Sequence, residues 1–295
     1  SHFNGAWRFP ARDHYTNADL ARHSNQSLKQ MLLFLRQQQS DGNLPENFNT
    51  DKLEESLHAG MYFESNIPQG YGLGSSGALI AALYNDFADQ PAHISDNMPA
   101  DQLLKLKALF ATMESFYHGK SSGLDPLNSY VKTPLHVQGN AIRQTSIPLY
   151  NMRKGGGIFL INTRLTRQTS PLVDYFMTHT RDRGSGHIPP EAYQTITQQT
   201  LEAFMEGKAT AFHEAIHELS AFQLRYMPPM VPEDFREVWK QGLHDGTYTL
   251  KLCGAGGGGF LLGFTEDMEA SREQLHMLGA EFIPVLHYNQ LEYIQ

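Results

Sequence analysis

Two carboxylates, Glu114 and Asp125, stand eleven residues apart across a segment containing Gly119 and Gly123. The glycines let the chain fold back, so the two acids can divide the work of one site. One can hold a metal ion with hard oxygens while the other accepts a proton from an attacking hydroxyl. The plainer reading is a surface Glu and a turn Asp, since Asp125-Pro126 is a common turn opener. Residues 119–123 also spell G-x-S-x-G. The nucleophile elbow needs a strand before it and a helix after it, whereas here a helix is expected before and Pro126 follows, so the match is read as chance.

Upstream, Gly70, Gly72, Gly74 and Gly77 punctuate residues 68–77, with Leu73, Ser75 and Ser76 between them. Such glycines permit unusual φ values and close approach to a ligand. The Ala- and Leu-rich helix expected over 77–87 would point its N–H groups back at the loop, which makes an anion site. Ser75 and Ser76 add hydroxyls suited to phosphate or Mg²⁺. No Gly-Lys-Ser/Thr closes the loop, so it is not a Walker A sequence. A tight loop capping a buried helix is the plainer alternative. Downstream, five of the six residues 254–259 are Gly, set between two apolar strands expected over 248–253 and 260–264. A hairpin needs only one or two. Close approach to a ligand is one reason to keep so many; a floppy hairpin tip is the other reading.

These segments need a scaffold. Apolar spacing predicts helices over 25–38, with Leu28, Met31, Leu32 and Leu35 on one face, and over 101–117, with Asp101 as cap and Leu103, Leu106, Phe110 and Met113 inward. Residues 3–12 read as a short strand with a turn, 60–65 as a strand, and 118–128 as a loop. Gly155 to Gly157 read as a joint, followed by an apolar strand at 158–161 and helices near 170–181, 190–206 and 209–225. Pro228, Pro229 and Pro232 break the pattern; a helix near 267–278 and a strand over 282–287 close it. Strands and helices mix without regular alternation, which predicts an α+β fold rather than a doubly wound sheet. The length suits two domains, placed at 1–150 and 151–295.

The net charge of −8, with no long basic run, argues against a nucleic-acid partner. No apolar run approaches the ~20 residues of a membrane span, and no signal peptide is visible at Ser1. The first residue is not Met, so a processed or trimmed chain is expected. Cys253 is the single cysteine, which suits a reducing cytosol and predicts a cytoplasmic location. A homodimer is compatible with the sequence. A competing signal is His213-Glu-Ala-Ile-His217, a formal H-E-x-x-H match that could bind Zn²⁺ with Glu214 as base. The extended pattern is absent, since Ser220 and Gln223 stand where its Gly and His would be. Phe212, Ile216, Leu219 and Phe222 instead make this an ordinary amphipathic helix.

Taken together, in this order and at this spread, the three segments around 68–77, 114–126 and 251–260 resemble the signature motifs of the GHMP kinases, named for galacto-, homoserine, mevalonate and phosphomevalonate kinases. The resemblance runs from about residue 60 to the end. It implies two α+β domains with the active site in the cleft between them, and transfer of the γ-phosphoryl group of ATP to a small-molecule hydroxyl. Ser76 matches the family's metal-binding serine, Glu114 its metal-binding glutamate and Asp125 the aspartate regarded as catalytic base. Gly70, Gly72, Leu73, Gly74, Ser75, Ser76 and Gly77 would then bind the nucleotide and Ser76 and Glu114 the Mg²⁺. Residues 159–173 are similar to a mevalonate-kinase segment whose Arg-x-Thr lies near the substrate. Arg167 and Thr169 fall on those positions, and with Gly256 and Gly257 they make the expected acceptor side. Mevalonate, and with it isoprenoid biosynthesis, is the expected substrate class. A sugar or sugar-phosphate kinase, or a non-catalytic metabolite-binding member, is the alternative. Two departures stand out. The family's opening Lys-containing motif has no counterpart, so the sequence is expected to begin after it. Pro126 follows Asp125 where mevalonate kinases usually carry Asn.

Overall fold

The computed structural model describes residues 5–9, 17–45, 47–67, 70–148, 155–166, 169–182 and 184–287. Arg167, and the boundary expected at 150/151, lie outside them. Contacts divide the chain into two compact units: Ser1–Gln69 with Leu73–Ser146, and Gly70–Gly72 with Ile147–Gln295. Each mixes helices with antiparallel strands, as the α+β reading expects.

In the first unit, β1 (Gly5–Arg8) pairs antiparallel with β2 (Tyr62–Ser65). Helix α1 (Ala18–Ser40) starts where the Asn17 side chain accepts the N–H groups of Asp19 and Leu20, and buries Leu28, Met31, Leu32 and Leu35 as its spacing dictates. Helix α2 (Thr50–His58), capped by Asn49, buries Leu53 and Leu57. Helices α3 (Ser75–Phe87) and α4 (Ala100–His118) join the same core through Ile80, Leu83, Leu103, Phe110 and Met113. Tyr84, Phe110 and Tyr130 meet edge to face at its centre. Pro99, not Asp101, occupies the cap of α4; Asp101 lies in the first turn, where a carboxylate favours the helix dipole.

Two elements of this unit depart from the sequence reading. The loop expected over 118–128 ends early, because α5 (Leu124–Val131) begins inside it. Pro126 belongs to the first turn of that helix. A missing N–H costs nothing there, so the Asp-Pro pair opens a helix instead of a turn. Leu127, Tyr130 and Val131 then reach the core. The hairpin of β3 (Leu135–Gln138) and β4 (Ala141–Gln144) carries no sequence expectation; only Ile142 in it is buried.

The second unit centres on a four-stranded antiparallel sheet of order β6-β7-β5-β8. Its strands are β5 (Gly157–Asn162), β6 (Thr249–Leu252), β7 (Phe260–Thr265) and β8 (Glu281–His287). The central strand β5 has its first five residues buried, which explains its unbroken apolar run. Helices α6 (Thr169–Arg181), α7 (Pro190–Met205), α8 (Ala209–Tyr226), α9 (Arg236–Asp245) and α10 (Met268–Met277) complete the unit. Helix α9 follows the proline cluster that masked it in sequence. Its Trp239 is fully buried, with the indole N–H donating to Ser220 Oγ at 2.7 Å. No helix among the described residues is long and apolar enough to cross a membrane.

Candidate active site

Within the first unit, the end of the Gly-rich segment, α3, α4 and α5 carry six predicted residues: Gly74, Ser75, Ser76, Gly77, Glu114 and Asp125. Gly74 takes φ +69° and ψ +36° and forms the N-cap of α3, with no side chain capping that end. The amides of the first turn, from Ser75 onward, point out of the helix end, an arrangement that receives an anion. Gly77 is buried one turn in. A Cβ there would stand 2.7 Å from Pro126 N and 2.8 Å from the Asp125 carbonyl carbon, so α3 and α5 touch backbone to backbone. A Cβ on Gly74 would stand 3.4 Å from Asp125 Cβ and 3.7 Å from Asp125 Oδ2. The Asp125 carboxyl is therefore placed beside the anion-receiving end of α3 by the fold of this unit alone.

Glu114, near the end of α4, is only 4% exposed. A buried carboxylate must be hydrogen-bonded. Its Oε1 accepts Ser76 Oγ–H at 2.8 Å and its Oε2 accepts the Ser121 hydroxyl. Ser121 Oγ in turn accepts the Gly123 N–H at 3.0 Å. Ser121 is the residue that sequence reading missed. Its signal was a hydroxyl inside the short connection between the two acids, hidden by the dismissed G-x-S-x-G match.

Ser76 and Glu114 offer only oxygen, the donor chemistry of a hard cation such as Mg²⁺. Among the described residues no group of three or more His, Cys, Asp or Glu is arranged to hold a metal. A cation bound here would take its remaining ligands from phosphate oxygens and water, as Mg²⁺ does at nucleotide sites. The residues present fit that group. Gly74→Val is expected to raise the dissociation constant of ATP at least tenfold. A β-branched residue resists φ +69°, and its side chain would press on Asp125 and the mouth of α3. Titration calorimetry on the folded variant checks this, and parent-like affinity would remove ATP from this loop.

Leu73 also belongs to the first unit, whereas Gly70, Gly72, Thr169, Gly256 and Gly257 belong to the second. Gly70 (φ +78°) lies against Thr166, and Gly72 takes φ +73°. The β6–β7 connection is not a floppy tip. Gly256, Gly257, Gly258 and Gly259 all have positive φ. An added Cβ would meet, respectively, Met230 O at 2.3 Å, Leu172 Cδ1 at 2.3 Å, Leu165 O at 2.7 Å and Tyr71 O at 2.1 Å. Backbone bonds fasten the loop: Gly257 N–H to Met230 O, Gly259 N–H to Leu165 O, and Thr163 N–H to Gly259 O, at 2.6–2.9 Å. These glycines are thus required by the protein's own packing. Thr169 is the first residue of α6, and Leu172 in that first turn covers Gly257.

The two histidines of the H-E-x-x-H match have different surroundings. His213 Nε2 lies 3.9 Å from Glu266 Oε1, and burial pushes its imidazole below the usual range, partly opposed by the Glu266 charge. His217 Nε2 lies 3.2 Å from Leu243 O on α9.

The model of the GHMP kinases N terminal domain matches residues 41–131, and that of the GHMP kinases C terminal matches 200–283, together more than half of the chain. No curated protein matches the sequence. Among solved structures, Lactococcus lactis galactokinase complexed with galactose superposes with a TM-score of 0.55 at 16% identity, covering 76% of this chain and 68% of that one. Streptococcus pneumoniae phosphomevalonate kinase in complex with phosphomevalonate and AMPPNP gives 0.54 at 15%, covering 97% and 90%. L. major mevalonate kinase in complex with R-mevalonate gives 0.52 at 14%, covering 74% and 64%.

Proposed function

We infer the function from one premise: this chain belongs to the GHMP kinases, a superfamily of ATP-dependent phosphotransferases. We propose that it moves the γ-phosphoryl group of ATP to the hydroxyl of mevalonate. The observation that carries the kinase reading is the buried Glu114 joined to Ser76 at the mouth of α3, with Asp125 beside Gly74. In this reading, Gly70, Gly72, Leu73, Gly74, Ser75, Ser76 and Gly77 receive the phosphates. Ser76 and Glu114 hold Mg²⁺, which neutralises phosphate charge. Asp125 accepts the acceptor's proton as the hydroxyl oxygen bonds to the γ-phosphorus and the bond to ADP breaks. Positioning and charge neutralisation supply the rate. Arg167, Thr169, Gly256 and Gly257 form the acceptor side.

The mevalonate assignment rests on residues 159–173, whose Arg167-Gln-Thr169 is similar to the mevalonate-kinase segment. Likeness of fold does not choose the acceptor, because galactokinase and the two mevalonate-pathway kinases superpose about equally well. Pro126, where mevalonate kinases usually carry Asn, keeps a sugar acceptor as the second reading. The test is ATP-dependent phosphorylation by the full-length protein of mevalonate, galactose, homoserine and a heptose phosphate side by side. The expected result is a kcat/KM for mevalonate at least tenfold above the others. Preference for a sugar would reject the acceptor and keep the kinase, whereas turnover of none of the four would bring forward a metabolite-binding role.

A further inference from the structure

Ser121 stands between the two acids of the proposed site, and its bonds are directional. A serine hydroxyl has one proton and two lone pairs. The Gly123 N–H occupies a lone pair at 3.0 Å, and the proton goes to Glu114 Oε2. Gly123 has little freedom: it takes φ +70°, and a Cβ there would lie 2.0 Å from Lys107 O on α4. The hydroxyl is therefore aimed by backbone that is packed onto the helix carrying Glu114. The next residue is an internal comparison. Ser122 Oγ accepts the Leu124 N–H at 3.3 Å, the same local turn, but is exposed and reaches no carboxylate among the described residues.

The two hydroxyl partners of Glu114 differ in what a nucleotide does to them. Ser76 is itself a candidate ligand, so its bond to Oε1 must adjust when cation and phosphate arrive. Ser121 lies on the other carboxylate oxygen and is fixed from behind by Gly123. It can hold the carboxylate plane throughout, leaving Oε1 directed toward Ser76. Groups that hydrogen-bond a ligating carboxylate typically change metal affinity or activity by roughly 10–100-fold when removed.

We propose that Ser121 is a positioning residue: it fixes Glu114 for Mg²⁺ and ties that ligand to the turn from which Asp125 projects. This rests on the kinase reading of the site. Ser121→Ala should raise the Mg²⁺ concentration for half-maximal turnover roughly tenfold. It should weaken Mn²⁺-dependent binding of AMPPNP, followed by titration calorimetry, by a similar factor. Ser121→Thr, which keeps the hydroxyl, should restore both. Ser122→Ala, which removes only the local turn bond, should change neither. In a Glu114→Gln background, Ser121→Ala should add less than a twofold further change, because the two act as one unit. If Ser121→Ala does not fold, Ser121→Cys, a weak donor of similar size, must show the same shift. A metal dependence unchanged by Ser121→Ala, while Glu114→Gln shifts it, overturns this inference and leaves the site reading intact. A metal dependence unchanged by Glu114→Gln overturns both.

Discussion

Asp125→Asn is expected to lower turnover by roughly two to four orders of magnitude, the usual worth of a general base, with ATP still bound. Asn keeps the shape of the side chain but cannot accept the proton. Shape matters at this position, because the side chain packs over Gly74 and the backbone of residues 125 and 126 lies on Gly77. An isosteric change leaves that contact alone, so a loss of rate can be assigned to chemistry. Single-turnover rates and the dissociation constant of ATP should be measured on the same preparation. An unchanged rate would remove Asp125 as base. A matched loss of ATP affinity would make it part of the nucleotide site.

How much of this was legible in the sequence depends on how local the cause is. The α+β class and helix α1 followed from spacing, because Leu28, Met31, Leu32 and Leu35 mark one face without help from distant residues. The helix that follows the glycines was legible for a similar reason, since its start depends on neighbouring residues, and the anion site proposed there rests on the same local pattern. Helix α5 was not legible, because Pro126 reads as a breaker unless it is known to fall in a first turn. The β3–β4 hairpin buries too little to leave an alternating pattern. The glycines 256–259 were read as making room for a ligand. Their crowding by Met230, Leu165 and Tyr71 comes from residues 26 to 188 positions away, which no local pattern encodes. Ser121 was missed because its importance lies in the direction of one proton, which exists only after α4 and α5 are packed.

Gly77→Ala should both destabilise the protein and slow it by roughly 100-fold, although helix propensity alone predicts the opposite sign for stability. Within a helix, replacing Gly by Ala is favourable by about 1 kcal/mol. Gly77 sits in the first turn of α3 with helical backbone, so that gain is available to it. Against it stands the space. The new methyl would lie 2.7 Å from Pro126 N, 2.8 Å from the Asp125 carbonyl carbon and 2.9 Å from Asp125 Cβ. Two of these are backbone atoms, which cannot swing aside like the end of a flexible side chain. Relief requires α3 and α5 to separate, and overpacking of this kind costs about 1–3 kcal/mol. Two of the three atoms belong to the proposed base Asp125, and a shift of about 1 Å in a reacting group can cost about 100-fold in rate. The discriminating result is the pair of signs: a lower melting temperature together with a lower kcat. A higher melting temperature with full activity would mean that Gly77 is an ordinary helical glycine and that the close approach of α3 to α5 does not position Asp125.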